Sequence, residues 1–371
     1  LSTENLPILD PVTAKTTTLA VPPRDPNTPV AAGPMMAPSP FFGTEAPWTS
    51  RSDVHNPMLD GEGRLWRTAR VRPPNTPAYC RSGSSHPSAK RFPVTMSTRQ
   101  VAMYDPKTKK ISYIDTCFDT HHLMFAEDAN NTLWLNGYGS PLLGWINTKM
   151  YLETGDEVKS QGWTGLILDT NGNGKRDAYV GPNDPIDPKK DKQLGDALYM
   201  AAPAPDGSVW GSVLGFPGAI VRLVPGDNPT ETALAERYEV PWNDPKAPIG
   251  GYSPRGMDVD RNGVAWVALG SGHMASFDRR KCTAPLNGPM ATGKHCPEGW
   301  TLYPNPVPQF KNVTDNGSAE GSYFAWVDQF DTLGLGANTP IATGNESDGY
   351  LALKDGKWVV LRVPYPMGFY A

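Results

Sequence analysis

The sequence predicts an all-β fold, a β-propeller of four-stranded blades with long loops between them, six or seven blades in number and seven favoured. Two observations lead there. A turn-and-tryptophan signature recurs along the chain, and no stretch sustains the 3.6-residue apolar period of a helix. The signature is an Asp-led turn, a small or polar residue, an apolar residue and Trp. It reads Asp60-Gly-Glu-Gly-Arg-Leu-Trp66, Asp128-Ala-Asn-Asn-Thr-Leu-Trp134, Asp206-Gly-Ser-Val-Trp210 and Asp260-Arg-Asn-Gly-Val-Ala-Trp266, with a weaker copy at Asp355-Gly-Lys-Trp358. Asp-Gly and Asn-Gly pairs supply the positive φ that tight hairpins need. The Trp opens the next strand and buries its ring between neighbouring sheets.

A second half-repeat follows: an apolar strand, a Pro- or Gly-containing turn and a strand ending near Pro. Gln100 to Ile114 is one example, and Ala219 to Gly226 with Glu236 to Pro241 is another. Two hairpins make one blade. Full blades are expected near 53–118, 119–181, 196–242, 252–304 and 322–364, within a single domain over 1–371. Residues 1–22 match only the second half-repeat and read as a half-blade. The ring then closes either with sequence beyond Ala371 or as six blades that meet imperfectly.

Composition agrees. Gly (37) and Pro (39) make up about a fifth of the 371 residues, while 11 Trp, 14 Tyr and 11 Phe supply core material. A formal charge of -4 gives no electrostatic case for nucleic acid or an anionic membrane. No apolar run approaches the roughly 20 residues of a membrane span. The four cysteines fall in two local pairs, Cys80 with Cys117 and Cys282 with Cys296, neither at CxxC spacing. Two disulfides closing loops within blades are expected, against four buried thiols. Disulfides imply an oxidising compartment, so the chain reads as secreted or periplasmic.

The stretches Ser52-Asp-Val-His55-Asn-Pro-Met-Leu-Asp-Gly-Glu-Gly-Arg-Leu-Trp66 and Ser253-Pro-Arg255-Gly-Met-Asp-Val-Asp-Arg-Asn-Gly-Val-Ala-Trp266 resemble blades of the streptogramin (virginiamycin B) lyase-like propellers. The resemblance spans about four blades and extends to a group of uncharacterised exported bacterial propeller proteins. It implies the propeller fold and suggests a lyase activity. The departures are longer loops, added cysteine pairs and no complete magnesium and acid–base set in any blade.

Counting back 11 residues from a repeat Trp reaches the start of the innermost strand. The positions are His55, Tyr199 and Arg255, and a one-residue-longer turn gives His122 with His121 beside it. First residues of innermost strands crowd at one mouth of a propeller, where ligands commonly bind. Two chemistries suit the set. Two or three imidazoles bind a transition metal. Alternatively one His is a general base, Arg255 holds an anionic or carbonyl group and Tyr199 donates a proton, as a lyase requires. His121, together with Glu320 and Trp326 near the last blade, is a candidate for substrate binding, and Glu320 and Asp328 are candidate carboxylate partners of the acid–base scheme. Met58, Met124, Met200 and Met257 repeat near the same strands and read as core rather than copper ligands. His86 and His273 are candidates for a mouth or the surface, and His295 for a structural role.

Asp169-Thr-Asn171-Gly-Asn173-Gly174-Lys175-Arg-Asp177 has oxygen side chains at positions 1, 3, 5 and 9 and Gly at 6, the spacing of a calcium loop. The Lys175 carbonyl would supply position 7. Val180 stands where a bidentate Glu is usual, so a modest-affinity structural Ca2+ site is expected, against an Asx/Gly hairpin turn. No P-loop, dinucleotide fingerprint, GxSxG elbow or CxxCH occurs. Three functions follow: an exported lyase-type enzyme acting on a small organic or glycan-like substrate, a non-catalytic ligand- or protein-binding propeller, and a His-ligated transition-metal (redox or oxygenase) site on the axis.

Overall fold

A computed structural model describes residues 4–31, 43, 50–137, 139–247 and 249–362. The chain starts with an antiparallel hairpin, β1 (Asn5–Asp10) and β2 (Lys15–Ala20). The first sheet is β3 (His55–Leu59), β4 (Leu65–Ala69), β5 (Gln100–Asp105) and β6 (Lys110–Ile114), and the second is β7 (Leu123–Phe125), β8 (Thr132–Asn136), β9 (Leu142–Asn147) and β10 (Gln161–Gly165). Three short strands follow, β11 (Ile167–Leu168), β12 (Tyr179–Val180) and β13 (Asp191–Gln193). The third blade is β14 (Ala202–Pro203), β15 (Val209–Val213), β16 (Ala219–Val224) and β17 (Leu234–Glu239); the fourth is β18 (Pro254–Val259), β19 (Ala265–Leu269), β20 (His273–Phe277) and β21 (Trp300–Pro304). The last is β22 (Ala325–Asp328), β23 (Thr339–Gly344), β24 (Gly349–Lys354) and β25 (Lys357–Arg362).

Strands in each blade pair in chain order, as a meander. The first strands β3, β7, β14, β18 and β22 each touch the next in turn, so they line the axis. The architecture is an all-β propeller of four-stranded sheets. Six or seven blades are not reached among the described residues. Four four-stranded sheets stand alone, and the third blade merges into a seven-stranded sheet because Leu168 of β11 pairs in parallel with Ala235 of β17. The β1–β2 hairpin pairs with no inner strand among the described residues. Ring closure by the chain's end falls on residues 363–371, outside the described set.

Apolar layers fill the seams between sheets. Trp66, Val101, Met103 and Ile114 meet Leu133, Leu135, Ile146 and Trp163 between the first two blades. Trp210, Ile220 and Tyr238 meet Met257, Val259 and Phe277 between the third and fourth. The four methionines pack in these seams, Met200 and Met257 fully and Met58 and Met124 at the margins.

The repeat has a physical cause beyond its turn. In the first blade Asp60 accepts the backbone N–H of Glu62 and Arg64 and the indole N–H of Trp66, at 2.9 Å for the indole. Asp260 does the same for Asn262, Val264 and Trp266. In these two blades one carboxylate thus fixes the turn and satisfies the indole donor, which explains their six-residue spacing; in the third blade Asp206 holds Ser208, whose hydroxyl accepts the Trp210 indole N–H. Asp355-Gly-Lys-Trp358 is different. It is the outer β24–β25 turn, and the Trp358 indole donates to the Pro304 carbonyl. The matching inner turn of that blade, between β22 and β23, carries no Trp.

Both expected disulfides form. Cys80 and Cys117 join the β4–β5 loop to the end of β6 within the first blade, and Cys282 and Cys296 close the β20–β21 loop. No helix among the described residues is long and apolar enough to cross a membrane.

Candidate metal centre at the mouth

The inner strands begin with a device the repeat did not reveal. In β3 the register shifts between His55 and Pro57, and in β18 between Pro254 and Met257. A bulge re-aims the side chains beside it, and His55 and Arg255 occupy these two positions. Asn56, at φ 40°, sends its amide to the His121 carbonyl. Two residues after three of the repeat Trp stands a small polar residue that ties its blade to the next. Thr68 donates to the carbonyls of His55 and His121, Asn136 to that of Leu198, and Ser212 to that of Arg255. The fourth blade has Ala268 there, and the Gly256 N–H makes the tie instead, to the Tyr323 carbonyl. These ties fix the relative rotation of the mouth residues.

His55, His121 and His122 meet. The rings of His55 and His121 stack with centroids 4.9 Å apart, and those of His121 and His122 lie 4.0 Å apart. One ligand atom from each of the three lies within 4.8 Å of the others, the only such group of His, Cys, Asp or Glu among the described residues. Tyr199 packs against His121 and His122 at 5.3 and 4.7 Å. Its backbone matters as much as its ring. The Nδ1 of His122 donates to the Tyr199 carbonyl at 2.6 Å, and His121 bonds to the same backbone. A carbonyl can only accept, so the proton sits on Nδ1 of His122 and the Nε2 lone pair points elsewhere.

Burial sets the charge of the cluster. His55 is held down to about 4, first by desolvation and then by the Arg99 guanidinium. Desolvation, His55 and Arg99 hold His121 at about 3, and His122, the most buried, lies well below the ordinary imidazole value. Arg99 is itself anchored by an ion pair with Asp53 at 2.8 Å. All three imidazoles are therefore neutral at pH 7, with lone pairs available.

Arg255 reaches the trio only through other rings. Its guanidinium lies over Tyr323, 5.5 Å from the centroid, and Tyr323 stands 5.8 Å from Tyr199. Arg255 donates to the Gly321 carbonyl and makes no ion pair among the described residues. Glu320 is fully buried, and its carboxylate accepts the backbone N–H of Glu346 and Ser347. Desolvation and a hydrogen bond with Glu346 push its carboxyl up to about 7. Trp326 is about a third exposed and stacks on Phe324, which packs 5.4 Å from His122. Asp328 sits at the opposite end of β22, capping the backbone of Thr332 and Leu333.

The remaining histidines lie outside the trio. His86 caps a short helix and stacks on Trp163 at 4.7 Å; His273 pairs with Ser271, and His295 packs on Tyr238. The loop from Asp169 to Asp177 lies between β11 and β12. Asp169 accepts the N–H of Gly172, Asn173 and Gly174, and Asp177 accepts the side-chain amides of Asn171 and Asn173. The Lys175 N–H donates to the Asn173 side chain.

No known family profile and no curated protein matches the chain. Among solved structures, it is similar to streptogramin B lyase at 12% identity, over 85% of this chain and 70% of that one, with a TM-score of 0.46. Catalytically inactive virginiamycin B lyase from Staphylococcus aureus with quinupristin is 12% identical over 84% and 71%, with a TM-score of 0.45. A putative 6-phosphogluconolactonase from Bacteroides uniformis is 11% identical over 99% and 79%, with a TM-score of 0.44. Likeness at this level concerns the propeller architecture and says nothing of chemistry.

Proposed function

We propose that the protein is a metal-binding propeller whose centre is His55, His121 and His122 at one mouth of the axis. The convergence of three neutral imidazoles within 4.8 Å carries this reading. Metal–nitrogen bonds of about 2.0–2.1 Å around a tetrahedral ion need nitrogens about 3.3 Å apart, so binding would draw together ligand atoms that now lie within 4.8 Å of one another. Three protein ligands leave coordination positions open, as catalytic rather than structural sites do. The metal class is Zn2+, Cu2+ or Fe2+, all suited to imidazole.

The depressed pKa values separate this reading from lyase-type general base catalysis. A base works best with a pKa near the working pH, and imidazoles held at about 3 to 4 are poor bases. Neutral imidazoles are ready ligands. The chain's own residues would orient the centre through the Tyr199 carbonyl and keep water from His122 with Phe324. Arg255 would hold an anionic group of a small substrate at the rim. A metal bound here supplies Lewis-acid or redox chemistry. The two disulfides support a place in an oxidising compartment, periplasmic or extracellular.

The test is metal content of the purified protein, followed by titration of chelator-treated protein with Co2+ and Zn2+. The expected result is one equivalent bound, with a Co2+ visible spectrum of nitrogen ligation that His55→Ala and His121→Ala each abolish. Failure to bind either ion, in protein with native secondary structure, refutes the metal centre and leaves the non-catalytic binding propeller.

A further inference from the structure

A fully buried carboxylate with an unmet oxygen stands beside the Asp169–Asp177 loop. Asp191, in β13, has no exposed surface, and its Oδ1 has no hydrogen-bond partner. Its Oδ2 accepts the N–H of Asp177 at 2.7 Å. Burial raises its pKa, with the nearby carboxylates of Asp169 and Asp177 adding to the rise and backbone N–H groups of Asp177 and Asn171 opposing it. Leaving a buried carboxylate oxygen without donor or cation is costly, and no cationic side chain forms an ion pair with Asp191 or Asp169 among the described residues.

The loop lacks one thing a calcium site needs, the bidentate carboxylate that usually closes it at position 12. Val180 stands there. Strand β12 pairs in parallel with β13, Tyr179 opposite Asp191, so β13 delivers a carboxylate to the loop from 11 residues further along the chain. We propose that Asp191 is the missing ligand and that Asp169, Asn171, Asn173, Asp177 and Asp191 form a Ca2+ site. All five ligands are hard oxygen donors, and three carry charge, which favours Ca2+ over the softer ions suited to the histidine centre. The inference is independent of that centre.

The site also has a neighbour from another blade. Asn287, inside the Cys282–Cys296 loop, donates to Asp169 Oδ2 at 2.9 Å, and the Gly288 N–H donates to the Asp169 carbonyl at 2.7 Å. A bound cation would therefore brace the extended third-blade sheet against the disulfide loop of the fourth.

The experiment compares thermal midpoints of chelator-treated full-length protein with and without 1 mM Ca2+, alongside isothermal titration with CaCl2. At a Kd of about 0.1 mM, within the extracellular range, the midpoint of the wild type should rise by about 2 °C. Asp191→Asn should remove the rise and weaken binding at least about tenfold. In calcium-free buffer Asp191→Asn should melt no lower than the wild type, because it removes an uncompensated buried charge. A residue with only a structural role would instead lower both midpoints equally. Asp177→Asn, in the exposed part of the loop, should lose the calcium response too and serves if Asp191→Asn does not fold. No calcium shift in the wild type, or an undiminished shift in the variants, overturns the proposal.

Discussion

Acidifying the metal-free protein from pH 7 to pH 5 should weaken it through the mouth histidines, and the size of the effect follows from their burial. In the unfolded chain each imidazole titrates near 6.5. In the folded protein His55 and His121 stay neutral down to about 4 and about 3, and His122 lower still. The unfolded state therefore binds more protons than the folded one between these values, so stability falls as pH falls below 6.5. At pH 5 a histidine held this low forfeits about 2 kcal/mol relative to pH 7, and the more exposed His55 less. His86, His273 and His295 are also shifted downward by burial, so the trio is read by difference. Urea titrations at both pH values, on wild type and His121→Gln, give the four free energies required. The variant should lose about 2 kcal/mol less than wild type across the two pH values. Equal losses would mean that His121 titrates in the folded protein as it does in the unfolded chain, and a smaller loss in wild type that it is charged when folded; either result overturns the neutral, buried imidazole.

Other outcomes follow from the same geometry. Zn2+ affinity should stay flat from pH 8 to pH 5, because no proton has to leave the trio, whereas an exposed histidine site weakens below 6.5; titration calorimetry across that range decides it. Glu320 acts with the opposite sign. Its carboxyl, raised to about 7, contributes stability that is full below about 4.5 and lost as pH rises through 7. Glu320→Gln should therefore make the acid-side loss steeper, as measured by thermal midpoint against pH. Cys80→Ser with Cys117→Ser opens a linkage spanning 37 residues and should destabilise by about 4 kcal/mol; opening the 14-residue Cys282–Cys296 linkage should cost about 3 kcal/mol, both by urea denaturation.

The blade repeat was legible because the Asp-led turn recurs, and in the first and fourth blades the Asp also holds the Trp indole at a six-residue spacing; such local constraints surface as pattern. Counting back from the Trp reaches strand starts, where His55, His122 and Tyr199 lie together while Arg255 lies over Tyr323 instead. What stayed hidden was relational. The carbonyl of Tyr199, rather than its hydroxyl, sets the histidine tautomer, and a backbone atom leaves no mark in a sequence. Asp355 to Trp358 imitated the repeat because any tight hairpin favours Asp-Gly; only strand order showed it to be an outer turn. The ties from Thr68, Asn136 and Ser212 did carry a signal, a small polar residue two places after Trp, visible once its purpose is known. Asp191 lay too far from the loop it faces for spacing to connect them.

The three histidines do not come from three blades spread around the axis. His55 leads the first blade, while His121 and His122 lead the second. An ion held by them would act as a rivet through one seam rather than a plug in a ring. Under mechanical load the seam between the first two blades would resist parting more while it is in place, and its removal by chelator would weaken that seam. Force applied between the first and second blades would thus report on occupancy of the centre, whereas force applied between the third and fourth would not.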